Sequence, residues 1–364
     1  MHTAESQTSD SGSRPDVTGD AGSQRDDASA PRGVTPRGWA SCAGPMPPLR
    51  NTRGQRPIFA APLETDYGEL TLGDGEAIPG VDASSLATVA LADIDADGDL
   101  EILHGVTGWG NYDPDGSVFV RHAVSPAIST ADGVILAGRF ELSDLADMDG
   151  DGDLDIFGAG HTFENTGTPA APTWVEAEPW DPETLDPLFY PSSAWRPQTR
   201  LGDLDADGDP DAIRVASGWP LCFHENVGTL GAPSFGGSDG EPGSCEVPNL
   251  GIQGYLLTEP PPEPGTRSVA VPAFDLGDLD GDGDLDLLGW TGSGWTYLLF
   301  AENDGTPDQA HFTPWVRLAT DTGYNARSLA LGDVDCDGDL DTVIYGTTPS
   351  GAYGLIYLEN VTAE

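Results

Sequence analysis

The chain has 364 residues with 61 acidic and 15 basic side chains, a formal net charge of −46. All 15 basic residues are arginines, which excludes Schiff-base chemistry on a lysine. The Lys/Arg stripes that phosphate contacts need are missing, so neither nucleic acid nor an anionic membrane surface is an expected partner. No run of 18 apolar residues occurs, and no membrane insertion is expected.

In chain order, residues 1–56 come first. They are rich in Ser, Thr, Asp, Gly, Pro and Arg, with almost no aromatics. Such a segment buries too little apolar surface to offset its ordering entropy, and it reads as a disordered low-complexity arm. The body, 57–364, begins near Pro57-Ile-Phe-Ala. It carries one acidic nine-residue loop written five times, starting at residues 93, 147, 203, 278 and 333. Around each copy the pattern repeats. A short apolar run leads in, as in Ala87-Thr-Val-Ala-Leu-Ala92. A β-type run follows the loop, as in Thr342-Val-Ile-Tyr345. After a Gly/Ser/Pro turn comes another, such as Leu355-Ile-Tyr-Leu-Glu359, and a fourth fits at Thr173-Trp-Val-Glu176. The runs are too short and too β-branched or aromatic for helices. Four short antiparallel strands per repeat make one propeller blade, and repeats of this length bury their faces only by stacking on neighbours.

The predicted fold is therefore an all-β, calcium-binding β-propeller of five four-stranded blades, with six or seven as the rival count. The last copy ends too early to supply its own fourth strand. Pro57-Ile-Phe-Ala-Ala-Pro62 is expected to fill that place beside Leu355–Glu359, because an open sheet edge invites pairing. Glu69-Leu-Thr-Leu-Gly73 is a further early strand candidate.

Each loop offers alternating carboxylates to a hard divalent cation, with calcium the expected cofactor, about five ions in all. The ligand candidates stand at positions 1, 3, 5, 7 and 9. They are Asp93, Asp95, Asp97, Asp99 and Glu101; Asp147, Asp149, Asp151, Asp153 and Asp155; Asp203, Asp205, Asp207, Asp209 and Asp211; Asp278, Asp280, Asp282, Asp284 and Asp286; and Asp333, Asp335, Asp337, Asp339 and Asp341. Position 7 binds through its carbonyl, and position 9 closes the cage. Position 6 is always glycine (Gly98, Gly152, Gly208, Gly283, Gly338), at a sharp turn that a Cβ is expected to obstruct. An EF-hand is excluded, because its bidentate Glu at position 12 is replaced by His104, Gly158, Arg214, Gly289 and Ile344.

These repeats resemble the FG-GAP or VCBS repeats of the integrin alpha N-terminal β-propeller and of bacterial surface and secreted proteins. Leu276-Gly-Asp-Leu-Asp-Gly-Asp-Gly-Asp-Leu-Asp286 closely resembles the bacterial form. The resemblance covers about 57–364. It implies a loop joining the first two strands of each blade, with calcium held at positions 1, 3, 5, 7 and 9. Glu101 and Pro210 depart from the pattern at positions 9 and 8. Integrin propellers have seven blades, against the five motifs here.

The expected function is a non-catalytic binding module for a glycan or protein ligand. Trp109, Phe163, Trp219 and Trp295 recur soon after their loops. They either ring a ligand-binding face or wedge between blades as core. A propeller-type polysaccharide lyase or other sugar-processing enzyme is the alternative, and a purely structural surface spacer is a second. Against catalysis, His104, His122, His161, His224 and His311 are scattered, and no nucleophile elbow or HExxH motif is present. A monomer is expected. Weak multi-oxygen sites fill where calcium is millimolar, so an extracellular or cell-surface home is expected. No signal peptide is visible in the first residues, and an intracellular home stays open. Cys222 and Cys245 would close a disulfide across the longest gap in an oxidising compartment. Cys336 lies between two aspartates of the fifth loop and is expected to point away from the ion.

Overall fold

Runs of alternating or continuous apolar residues between the acidic loops form short antiparallel strands. The computed structural model describes residues 55–59, 63–64, 86–94, 100–106, 117–122, 134–138, 142–158, 161–168, 172–177, 198–215, 221–235, 271, 273–291, 297–306, 309–319, 323–347, 349, 351 and 353–362. The arm 1–54, the Glu69–Gly73 candidate and Asp95–Asp99 of the first loop lie outside this set.

A two-residue strand, β1 (Leu63–Glu64), precedes the first sheet. That sheet runs β2 (Leu86–Ala92), β3 (Glu101–Val106), β4 (Ser117–His122) and β5 (Val134–Gly138). The second contains β6 (Leu142–Ala146), β7 (Asp155–Gly158), β8 (His161–Asn165) and β9 (Trp174–Ala177). The third has three strands among the described residues, β10 (Gln198–Gly202), β11 (Asp211–Val215) and β12 (Cys222–His224). The fourth comprises β13 (Ala273–Gly277), β14 (Asp286–Trp290), β15 (Leu298–Ala301) and β16 (Val316–Ala319). The fifth holds β17 (Asn325–Gly332), β18 (Asp341–Thr347) and β19 (Tyr353–Leu358). Each acidic loop joins the first two strands of its sheet, so the described fold is all-β and repetitive.

Strand β1 is the outer member of the fifth sheet, with Leu63 opposite Tyr357 and Glu64 opposite Ile356. Phe59 bridges Asn360, and the Ile58 carbonyl accepts from Val361 N at 2.7 Å. The strand that pairs β19 is thus Leu63–Glu64 and not the expected Pro57 segment, whose Phe59 meets the chain just beyond β19. Phe59 is buried in the cluster between the fourth and fifth sheets.

The core sits between consecutive sheets, which explains why central strands read as continuous apolar runs rather than alternating ones. All five residues of β14 and the first six of β18 are buried. One cluster joins Trp290, Leu298 and Phe300 to Leu329, Ile344 and Ile356. Others join the third sheet to the fourth, the first to the second, and the second to the third. The first strands of the sheets follow one another in space. β2 packs on β6, β6 on β10, β10 on β13, β13 on β17, and β17 returns to β2.

The apolar side chain at position 8 keys neighbouring sheets together. Leu285, Leu340 and Leu100 lie over Gly202, Gly277 and Gly332 of the preceding sheet, where an added Cβ would meet each leucine Cδ1 at 2.6 Å. The last of these pairs couples the fifth sheet to the first. Side chains also span the inner edges. Asp144 accepts from Leu201 N at 2.7 Å, Asp275 from Leu331 N at 2.8 Å, and Ser328 from Val89 N at 3.0 Å.

Candidate metal centres

In the four described loops the backbone winds around the first carboxylate. Asp147 accepts from Gly150 N and Gly152 N, and Asp203 from Gly208 N. Asp278 accepts from Asp282 N and Gly283 N, and Asp333 from Asp337 N and Gly338 N. Position 5 accepts from the amide two residues on, as Asp151, Asp207, Asp282 and Asp337 all do. This pattern turns oxygens towards one point. Position 6 has a φ of 95°, 98°, 101° and 94° at Gly152, Gly208, Gly283 and Gly338. A Cβ built at Gly152, Gly208 or Gly283 meets nothing within 4 Å. The expectation of steric obstruction is therefore corrected: glycine is required by the positive φ, not by crowding. Position 4 is also left-handed, at Gly150 (79°), Gly281 (70°), Ala206 (58°) and Cys336 (61°).

Carboxylate oxygens of Asp147, Asp149 and Asp155 lie within 4.8 Å of one another, as do those of Asp203, Asp205 and Asp211, of Asp278, Asp280 and Asp282, and of Asp333, Asp335 and Asp341. The loops thus bring together positions 1, 3 and 9 three times and positions 1, 3 and 5 once. Glu101 is the buried position 9 of the first loop and accepts from Ile94 N at 3.0 Å.

Position 9 has a second task. One oxygen accepts from the position 2 amide, at 3.1 Å for Asp155 and Asp211 and 3.0 Å for Asp286 and Asp341. The other accepts from the amide of an asparagine closing the third strand: Asn165, Asn226, Asn303 and Asn360, at 2.7–2.9 Å. Each asparagine is buried. Asn226, Asn303 and Asn360 also donate to the position 8 carbonyl. The Oδ1 atoms of Asn165, Asn226 and Asn303 organise the next turn by accepting from residues two and eight further on. All four asparagines lie outside the acidic loops. They stand 10, 15, 17 and 19 residues beyond position 9, so no fixed spacing marks them.

Burial raises the carboxylate pKa values, because the charged form loses hydration. At position 9, Asp155 is pushed up to about 6, Asp211 to about 7, Asp286 to about 8, and Asp341 well above the usual carboxylate range. The backbone donors oppose this and are outweighed. Asp153 rises to about 6 through burial, a hydrogen bond to Asp151 and the neighbouring aspartate charges. The buried Oδ1 atoms of Asp153 and Asp209 have no hydrogen-bond donor. Converging carboxylates at positions 1, 3, 5 and 9, with buried donorless oxygens at position 7 beside them, fit a hard divalent cation, which would restore the ionised forms. Positions 1, 3, 5 and 9 would contribute carboxylates. A cleft of about 280 Å³ between the third and fourth loops is lined by Asp203, Ala206, Asp282, Asp284 and Asn303.

Phe163 is buried in a cluster with Ala90, Ala92, Leu103 and Ile156, where it packs between the first two sheets. Trp109, Trp219 and Trp295 lie outside the described residues. His224 is buried and pushed down to about 4 by burial and by Arg214. His311 is exposed and paired with Asp304. Cys336 is disulfide-bonded. Its partner is outside the described side chains, as is the proposed Cys222–Cys245 bridge. No described helix is long and apolar enough to cross a membrane.

No curated protein matches the chain. Residues 278–344, which hold the fourth loop, β14 to β17, the whole fifth loop and the first four residues of β18, match the FG-GAP-like repeat.

Proposed function

We propose that residues 57–364 form a five-bladed, calcium-stabilised β-propeller that acts as a non-catalytic binding module, preceded by a low-complexity arm at 1–56. The observation that carries this reading is the recurrence of one loop geometry, with three converging carboxylates in each of four described copies. The cyclic succession of first strands and the Leu100–Gly332 contact support closure of five sheets into a ring. The FG-GAP-like repeat at 278–344 supports extending one unit's chemistry to its four neighbours. All 25 loop acids are proposed as the metal set, with about five calcium ions per chain.

The ligand is a glycan or a protein met by a monomer at the cell surface or outside the cell. A disulfide at Cys336 fits an oxidising compartment. Trp109, Trp219 and Trp295 are proposed for the ligand face. Elemental analysis and calorimetric titration of the purified chain test the metal reading. Four to five calcium ions are expected, and none or one would overturn it. A glycan array and a pull-down, each with and without calcium, test the ligand class.

A further inference from the structure

The five first strands share a level two residues before their last residue, occupied by Ala90, Asp144, Arg200, Asp275 and Ala330. Arg200 is only 1% exposed and is among the largest fully buried side chains. Its Nε donates to the Phe274 carbonyl at 3.1 Å and lies 3.0 Å from Asp275 Oδ1. Its Nη2 donates to the carbonyls of Leu329 at 2.8 Å and Val89 at 3.2 Å, and Nη1 stands 3.8 Å from Asp144 Oδ1. These partners belong to the first, second, fourth and fifth sheets, and Arg200 itself to the third. One guanidinium thus meets all five.

The two carboxylates are held by other contacts. Asp144 caps Leu201 N, and Asp275 caps both Leu331 N and its own neighbour Leu276 N. Asp144 and Asp275 cap the inner edge of the following sheet. At Leu276 the preceding sheet offers an arginine, which cannot accept, and Asp275 supplies the acceptor instead.

We infer that the centre of the five sheets is a guanidinium-binding site, built from three backbone carbonyls and two carboxylates and filled by the protein's own Arg200. The planar fork of a guanidinium sends donors in several in-plane directions, which an ammonium on a flexible stem does not reproduce. The axis is therefore closed by this side chain and is no ligand passage. Recognition of a partner falls to the ends and rims of the sheets. The inference rests on the packing of the first strands, not on the calcium reading.

Chemical rescue tests it. Arg200→Ala removes the side chain beyond Cβ, and ethylguanidinium replaces the lost atoms and charge. Truncation strands two partly buried carboxylates and three carbonyls, and is expected to lower Tm by about 10 °C. Low-millimolar ethylguanidinium should recover much of that loss in the variant and none in the native chain, whereas neutral ethylurea should recover nothing. If Arg200→Ala folds poorly alone, refolding yield in the two additives gives the same comparison. Arg200→Lys keeps charge without the fork and should melt well below the native chain. Equal rescue by ethylurea, absence of rescue by either additive, or native-like melting of Arg200→Lys would overturn the assignment.

Discussion

Ala206 occupies the left-handed fourth position of its loop, where two other loops carry Gly150 and Gly281. A non-glycine residue there costs about 1 kcal/mol, so Ala206→Gly should stabilise the chain by roughly that amount, read by denaturant unfolding. Gly283→Ala should lose about 1–3 kcal/mol. The φ of 101° causes this loss, because the space around a new Cβ is open. A neutral Gly283→Ala would show that the loop is wound differently. The asparagine latch adds a second residue-scale expectation. In Asn303→Ala the amides of Gly305 and His311 lose their acceptor and the Leu285 carbonyl loses a donor. Unfolding should become easier by about 2–3 kcal/mol. The backbone amide of Asn303 that donates to Asp286 is kept, so affinity at the fourth loop should fall through displacement of that amide once the turn it belongs to is loosened. A variant that loses stability but binds calcium unchanged at that loop would separate the latch from the site.

Single elements depend on how neighbouring sheets interlock. Gly332→Ala would bring a Cβ to 2.6 Å from Leu100 Cδ1 and 3.2 Å from Leu91 Cδ1. Because this contact lies between the last sheet and the first, overpacking there should cost about 1–3 kcal/mol and loosen closure. Thermal melting with limited proteolysis near residue 332 measures both effects. The outer strand of the fifth sheet comes from the other end of the described chain, with Ile58 N also donating to Thr362 Oγ1. Deleting 1–54 should leave Tm unchanged. Deleting 1–65 should lower it or cause aggregation, because it uncovers β19 and removes buried Phe59. Equal melting of the two truncations would contradict the closing role of β1.

For the whole molecule, the proposed cations would act together with charge. Without a cation, Asp155, Asp211 and Asp286 have folded-state pKa values of about 6, 7 and 8, against 3.8 for the free side chain. A raised carboxylate pKa means that the folded state holds its proton more tightly. That stability is complete below the unfolded pKa and is lost as pH climbs through the folded values. In chelator, Tm should therefore fall between about pH 5 and about pH 8. Calcium should restore it most strongly at the upper end, because binding displaces those protons and tightens as pH rises. Melting scans across pH with chelator and with excess calcium check this. A chelated profile that is flat, or that rises with pH, would contradict it.

The loop spacing, the invariant sixth glycine and the short apolar runs were enough to predict an all-β repeat with acidic cation loops, because these features act within nine residues or along single strands. The unpaired edge of the last repeat likewise points to an N-terminal partner, since it is a local deficit, but only the structure shows that Leu63–Glu64 and not the Pro57 segment pairs it. Other features became visible only in three dimensions. The asparagine latches sit at variable distances along the chain, and hydrogen bonding rather than periodicity selects them. The glycines beneath Leu100, Leu285 and Leu340 are chosen by contacts between different repeats. Phe163 is decided as a wedge and not a ligand platform only by its neighbours in the adjacent sheet. Nothing in the sequence marks Arg200 out from the other arginines. Only the convergence of five strands places three carbonyls and two carboxylates around it, because the desolvation of a charge is decided by what surrounds it in space.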